Sequence, residues 1–150
     1  MAHDRATVDV SEAVHCTCFG LRKAARAVTQ MYDAALEPSG LRATQFSLLA
    51  SLRIEGPLTI SRLAEAMVMD RTTLTRNLRP LDRQGLVAVA PGRDRRTRQV
   101  RLTARGRTRF TQAFPLWQRA QAHMAKGLGA ARRKHLLSDL DMAVAVAHGA

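Results

Sequence analysis

The sequence predicts a mainly α-helical chain carrying one small β-hairpin. Three observations predict it. Two short apolar-periodic segments, each opened by a capping residue, lie in tandem between Thr59 and Gly85. Two alternating segments joined by a Gly-containing, arginine-rich tip follow at once. Long apolar stripes with four-three spacing flank this region on both sides.

Residues 1–10 are polar and aperiodic and read as a mobile arm. Beyond them Val14, Cys18, Leu21, Ala25, Val28, Tyr32 and Ala35 recur at spacings of four and three, the seam of a long helix packed on other helices. Pro38-Ser39-Gly40 closes it. A second helix is expected over Leu41 to Glu55, capped by Thr44 or started just before it, with Phe46, Leu48, Leu49 and Leu52 as its apolar content. Gly56-Pro57 stops it, and Leu58 adds a short third strand beside the hairpin.

Thr59 caps a helix of about two turns whose inward face is Ile60, Leu63, Ala64 and Met67. After Val68-Met69, Asp70 caps the next helix by accepting from the N–H of Thr72 or Thr73, and its charge suits the positive end of the helix dipole. There Leu74, Leu78 and Leu81 form the buried stripe, and Thr72, Thr75, Arg76 and Arg79 lie opposite. Pro80 predicts a bend or an early end, because it lacks an N–H and crowds the carbonyl of Arg76. Gly85 ends the helix, and residues 86–90 and 99–102 read as the hairpin strands. Thr103 caps a further helix with Phe110, Phe114, Trp117, Gln121, Met124 and Leu128 in line. Pro115 should kink or restart it. Gly127 and Gly129 mark a break before a last helix over residues 130–147, striped by Leu137, Leu140, Val144 and Ala147.

The 150 residues carry 24 Lys and Arg against 12 Asp and Glu, a net +12. Residues 71–109 hold twelve arginines, no lysine and two acids, Asp82 and Asp94, a net +10. Such a local excess attracts polyanions, so nucleic acid is the natural partner. Helix, tight turn, helix is the outline of a DNA reader. Threonine and arginine on its exposed face have the chemistry for base edges in the major groove. A flexible arginine tip beside it, Arg93, Arg95, Arg96 and Arg98 around Asp94, suits a neighbouring minor groove. Asp94 is expected to brace one of these arginines by a charge-assisted bond.

At this point the chain resembles a known family. Asp94-x-Arg96-Thr97-x-x-x-x-Leu102-Thr103 matches the wing signature of the MarR family of winged helix-turn-helix regulators. Leu58-Thr59-x-x-x-Leu63-Ala64, Asp70-Arg71-Thr72-Thr73-Leu74-Thr75-Arg76 and Leu81-x-x-x-Gly85-Leu86-Val87 are similar to that family in order and spacing. The resemblance implies a homodimer with one winged reader per subunit on a pseudo-palindromic operator in double-stranded DNA. It places Asp70 to Arg79 on the recognition helix and Asp94 to Arg96 at the wing tip. The DNA-binding set is then Arg71, Thr72, Thr73, Thr75, Arg76, Arg79, Arg93, Asp94, Arg95, Arg96 and Arg98. The surplus of long striped helices fits dimerisation, with two recognition helices about one DNA turn, roughly 34 Å, apart. The organisation expected is an N-terminal arm and dimerisation helix over 1–40, the DNA-binding region over 41–103 and C-terminal dimerisation helices over 104–150, in one intertwined domain.

The function expected is a transcriptional regulator, a repressor released by a signal, either thiol oxidation or a small-molecule ligand. The two cysteines sit in His15-Cys16-Thr17-Cys18-Phe19. On one helix their side chains would point about 200° apart, which disfavours a bond between them. Cys18-Phe19, Ala24-Ala25-Arg26, Thr29 and Tyr32 are similar to the first helix of the hydroperoxide-sensing, OhrR-like branch. That similarity implies Cys18 as the oxidised residue beside Tyr32. Arg22 departs from the branch, which has a tyrosine there, yet lies one turn past Cys18 and can lower its pKa. For an anionic or aromatic ligand the candidate lining is Arg22, Arg26, Tyr32 and Arg42. Cys16 completes the redox candidates.

No metal or cofactor is implied. A lone Cys-x-Cys lacks two further zinc ligands, and no nucleophile elbow, phosphate-binding Gly loop or HExxH motif appears, so an enzyme is not expected. Neither an 18-residue apolar run nor a secretory leader pattern is present, and cytoplasm is the expected compartment. The alternative is a winged-helix module that binds RNA or a protein partner without sequence-specific DNA recognition.

Overall fold

The computed structural model describes residues 10–92, 94 and 96–149. A short 3-10 turn, Ser11–His15, leads into α1, Thr17–Leu36, and a second such turn, Glu37–Ser39, leads to α2, Ala43–Glu55. Then come β1, Leu58–Thr59; α3, Ile60–Ala66; α4, Arg71–Arg83; β2, Val87–Pro91; β3, Arg98–Leu102; α5, Ala104–Leu128; and α6, Ala130–Ala147. The expected arm falls outside the described residues apart from Val10.

The sheet order is β1-β3-β2, all antiparallel, with Leu58 opposite Val100 and Val89 opposite Val100 from the other side. Leu58 therefore forms the expected third strand. Gly85, at φ +66°, ends the α4 turn in a conformation that costs other residues more, and the chain turns into β2.

Three helices, α3, α4 and α5, open on the expected caps. Thr59 Oγ1 accepts from Arg62 N–H at 3.2 Å, Asp70 Oδ1 from Thr73 N–H at 2.8 Å, and Thr103 Oγ1 from Gly106 N–H at 2.9 Å. For α2 the second of the two alternatives holds: the helix starts at Ala43, just before Thr44. Thr44 lies inside the helix, and the first free N–H groups are satisfied by Gln45 Oε1, which accepts from Arg42 N–H at 3.0 Å, and by Asp33 Oδ1 of α1, which accepts from Ala43 N–H at 2.7 Å. At the two prolines neither the early end nor the restart occurs. α4 runs on to Arg83 past Pro80, and α5 spans 25 residues through Pro115 without a restart. Each proline removes one helical hydrogen bond, an amount that the packing of the flanking turns outweighs.

The core lies under the reader. Leu36, Leu48, Leu49, Leu63, Leu74, Leu81, Leu86 and Val100 are all fully buried, and they join α1, α2, α3, α4 and the sheet. Burying each large aliphatic side chain contributes about 1.5–3 kcal/mol. α5 closes the core with Ala113, at 0% exposure, and with Phe110 and Trp117, whose rings stack on Phe46 of α2 at centroid distances of 5.0 and 5.6 Å. α6 is different: none of its 18 residues is buried.

Candidate nucleic-acid interface

The recognition face is built from the helical repeat. With Leu74, Leu78 and Leu81 turned into the core, α4 must present Thr72, Arg76 and Arg79 on the far side. Arg71, Thr72, Thr75, Arg76 and Arg79 are exposed and together line one concave surface. Thr73 sits on the flank, half-buried. Its hydroxyl donates to Asp70 Oδ2 at 2.6 Å, so it serves the cap rather than the exposed face. Thr75 Oγ1 donates back to the Arg71 carbonyl at 2.7 Å, which leaves its oxygen able to accept. Among the described residues no side chain pairs with Thr72 Oγ1 or with the guanidinium groups of Arg71, Arg76, Arg79, Arg96 and Arg98.

The paired Thr73 groups hold the Asp70 carboxyl below the usual carboxylate range, the side-chain bond acting most strongly and the main-chain bond next. A stable negative charge thus sits at the positive end of α4.

The hairpin tip is closed by its own backbone. Gly92 N–H donates to the Thr97 carbonyl and Thr97 N–H to the Asp94 carbonyl, each at 2.8 Å. A side chain at position 92 would force Thr97 Oγ1 to move. The Asp94 carboxylate accepts from the Arg96 main-chain N–H at 2.9 Å, so it braces the turn; the expected bond to a guanidinium is not formed with Arg96 or Arg98 among the described residues. Arg96 and Arg98 are exposed. Arg93 and Arg95 lie outside the described residues.

These features have known counterparts. Residues 41–97 match the MarR family. The fold superposes on the Mycobacterium tuberculosis transcriptional regulator MosR, solved in complex with DNA, at TM-score 0.78 and 42% identity over 88% of this chain and 98% of that one. The chain belongs to the MarR family. A mutant MarR from E. coli complexed with operator DNA, 25% identical, matches at TM-score 0.80 over 91% of this chain and 99% of that one. The transcriptional activatory protein BadR of Rhodopseudomonas palustris is 31% identical over 111 residues, 71% of this chain and 63% of that protein. The architecture is therefore the MarR-type winged helix of a transcriptional regulator, with α3 and α4 as the helix-turn-helix and β2 and β3 as the wing.

The residues singled out for a switch are placed less uniformly. Cys16 and Cys18 are free and exposed. Cys16 is not helical, with ψ 118°, but precedes α1 as its N-cap, so the opposite-face argument against a bond between the two cysteines does not apply. Cys18 and Tyr32 are fourteen residues apart on one continuous helix, about 21 Å, and do not meet within a subunit.

Of the four ligand candidates only Tyr32 lines a cavity. It borders a small one of about 180 Å³ between α1, α2 and α5, with Phe46, Ser47 and Trp117. It also borders an apolar groove of about 520 Å³ between α1, α5 and α6. Burial pushes the Tyr32 phenol up from its ordinary value, while the positive charge of Arg133 pulls the other way. Arg22 and Arg26 are exposed on α1 and line neither space, and Arg42 is 3.4 Å from the Asp33 carboxylate. Sequence reasoning missed Arg133, which enters the groove from α6 and donates to Gln121 Oε1 at 3.2 Å. No periodic signal marks it, since it is one of several basic residues in the first turns of that helix.

Among the described residues no group of three potential metal ligands comes together, and no helix is long and apolar enough to cross a membrane.

Proposed function

We propose that the chain is a homodimeric repressor that binds a pseudo-palindromic operator in double-stranded DNA and releases it on a signal. The observation that carries this reading is the unpaired, arginine-rich exposed face of α4 beside a basic wing on a well-packed reader. Arg71, Thr72, Thr75 and Arg76 read the major groove, and Arg95 and Arg96 enter the adjacent minor groove. Thr73 supports this face through the Asp70 cap. Arg79, Arg93 and Arg98 add affinity for the sugar-phosphate backbone.

Dimerisation through α1, α5 and α6 is supported by α6 itself. It has no buried residue, and Leu136, Leu137, Leu140 and Val144 are between 37% and 48% exposed. A water-facing aliphatic stripe on a regular helix is unfavourable unless another surface covers it. Residues 1–40 and 104–150 thus supply the dimer and residues 41–103 the reader.

The signal we favour is oxidation of Cys18, a free thiol that is exposed in the single subunit. Attack of its thiolate on a hydroperoxide gives a sulfenic acid and releases the corresponding alcohol. A second reading, a small aromatic or anionic ligand, is favoured by the cavity walled by Tyr32, Phe46 and Trp117, which joins α1 to the reader.

The test is fluorescence anisotropy of the reduced protein on a duplex from its own upstream region and on a random duplex, before and after organic hydroperoxide, alongside Cys18→Ser. Preference for the upstream duplex that oxidant abolishes, reductant restores and the variant ignores is the expected result. Equal binding to both duplexes would instead favour a module without sequence choice. Oxidant-insensitive binding would transfer the switch to the cavity.

A further inference from the structure

The turn between α3 and α4 is a closed helix terminus with a methionine on each side of a strained residue. Val68 N–H donates to the Glu65 carbonyl at 3.0 Å and Met69 N–H to the Ala64 carbonyl at 2.9 Å, with Val68 in the left-handed region at φ +51°. This is the Schellman arrangement, in which glycine usually takes the left-handed place and the next residue anchors the turn by an apolar contact. Here a β-branched residue, 54% exposed, takes that place, so its neighbours must hold the turn. They are Met67 and Met69, half-buried against the core. Each sulfur meets a donor on a different helix: Ser51 Oγ of α2 lies 3.7 Å from Met67 Sδ, and Asn77 Nδ2 of α4 lies 4.0 Å from Met69 Sδ. Asp70, the cap of α4, follows at once.

We infer that Met67 and Met69 form an oxidation site whose modification by a peroxide unseats α4, a switch separate from the cysteines. It rests on the DNA-binding reading above, because its consequence is read at α4. The thioether sulfur attacks one oxygen of hydrogen peroxide; the O–O bond breaks, an S–O bond forms, and the other oxygen leaves as water with both protons. Sulfur gives up two electrons and the peroxide takes them. The product is a polar sulfoxide, so an apolar anchor is lost on each side of the strained Val68. Ser51 and Asn77, which bond a thioether only weakly, bond a sulfoxide oxygen more strongly and compete with the core for the side chain. Leucine at either place would supply the same packing without a sulfur to oxidise.

The test uses the full chain carrying Cys16→Ser and Cys18→Ser, so that no thiol can respond. It is treated with hydrogen peroxide, sulfoxides are located by peptide mass mapping, and anisotropy is read on the upstream and on a random duplex. Oxidation of Met67 and Met69 should weaken both duplexes by about tenfold, as when α4 is correctly seated only about a tenth of the time. Methionine sulfoxide reductases with a dithiol should restore binding. Adding Met67→Leu and Met69→Leu should leave binding unchanged before treatment and preserve it afterwards, even with Met142, 64% exposed, oxidised. Adding Val68→Asn instead, which relieves the strained place, should lessen the loss. Three results would each overturn the inference: sulfoxide at Met67 and Met69 with unchanged binding, oxidation of Met142 that spares both, or an equal loss in the leucine variant. If the untreated chain does not distinguish the two duplexes, the regulator reading falls, while an oxidant-dependent loss on random DNA still sustains the methionine site.

Discussion

Asp33 of α1 accepts the main-chain N–H of Ala43, the first residue of α2, at 2.7 Å. The cap of a reader helix is thus supplied by the neighbouring helix, ten residues earlier. Asp33→Ala should destabilise the fold by about 1 kcal/mol, the usual cost of losing an N-cap, and Asp33→Asn should recover most of it. Arg42→Ala should change stability by less than about 0.5 kcal/mol, because its ion pair with Asp33 is mostly solvated. Urea unfolding followed by circular dichroism separates the two.

Gly106 lies in the first turn of α5, where an added Cβ would run into the Leu86 carbonyl oxygen. That carbonyl also accepts from Thr103 N–H at 3.2 Å, so it is not free to retreat. Gly106→Ala should therefore destabilise by about 1–3 kcal/mol, although alanine is the better helix former by about 1 kcal/mol. A rise in the unfolding midpoint would show that the junction yields.

Val68, in the turn between α3 and α4, has φ +51° and is 54% exposed. A β-branched residue in the left-handed region is strained by roughly 1–2 kcal/mol, and nothing buried is lost on replacing it. Val68→Asn should raise stability by about 1 kcal/mol at unchanged DNA affinity, read by thermal unfolding and anisotropy on the same sample.

The Asp70 cap carries a pH dependence of definite sign. Its folded pKa lies below the ordinary value of 3.8, so its contribution is fully present above that value and is lost as pH falls through the folded one. Between pH 5 and 8 the cap should be constant. The difference in melting temperature between wild type and Asp70→Asn should narrow only on acidification below about pH 4, and a difference that changes near neutrality would contradict the assignment.

The reader was largely legible before any coordinates. Thr59, Asp70 and Thr103 cap the helices they announce, and Leu74, Leu78 and Leu81 are buried as their spacing requires. Such features depend on groups within one helical turn of each other, so local sequence suffices. The long stripes were legible as stripes but not as a core: of α1 only Leu36 is buried, one residue past the predicted seam, and of α6 none. In the proposed dimer their apolar content would face the second subunit. Ala113 and Ala120, buried at 0% and 3%, were overlooked because a small side chain gives little hydrophobic signal where close helix approach is what matters.

The sequence by itself determined the order of elements, the caps, the basic face of α4 and the chemistry of its partner, because periodicity and charge are local properties. Only the tertiary structure decided that Asp33 caps α2, that Thr73 serves the cap, that Arg98 lines one cleft with Arg79 and that Arg133 joins Tyr32 in the groove. Each of those contacts joins groups whose approach depends on helix packing or strand register, and these are set by burial of the shared core rather than by the residues in contact.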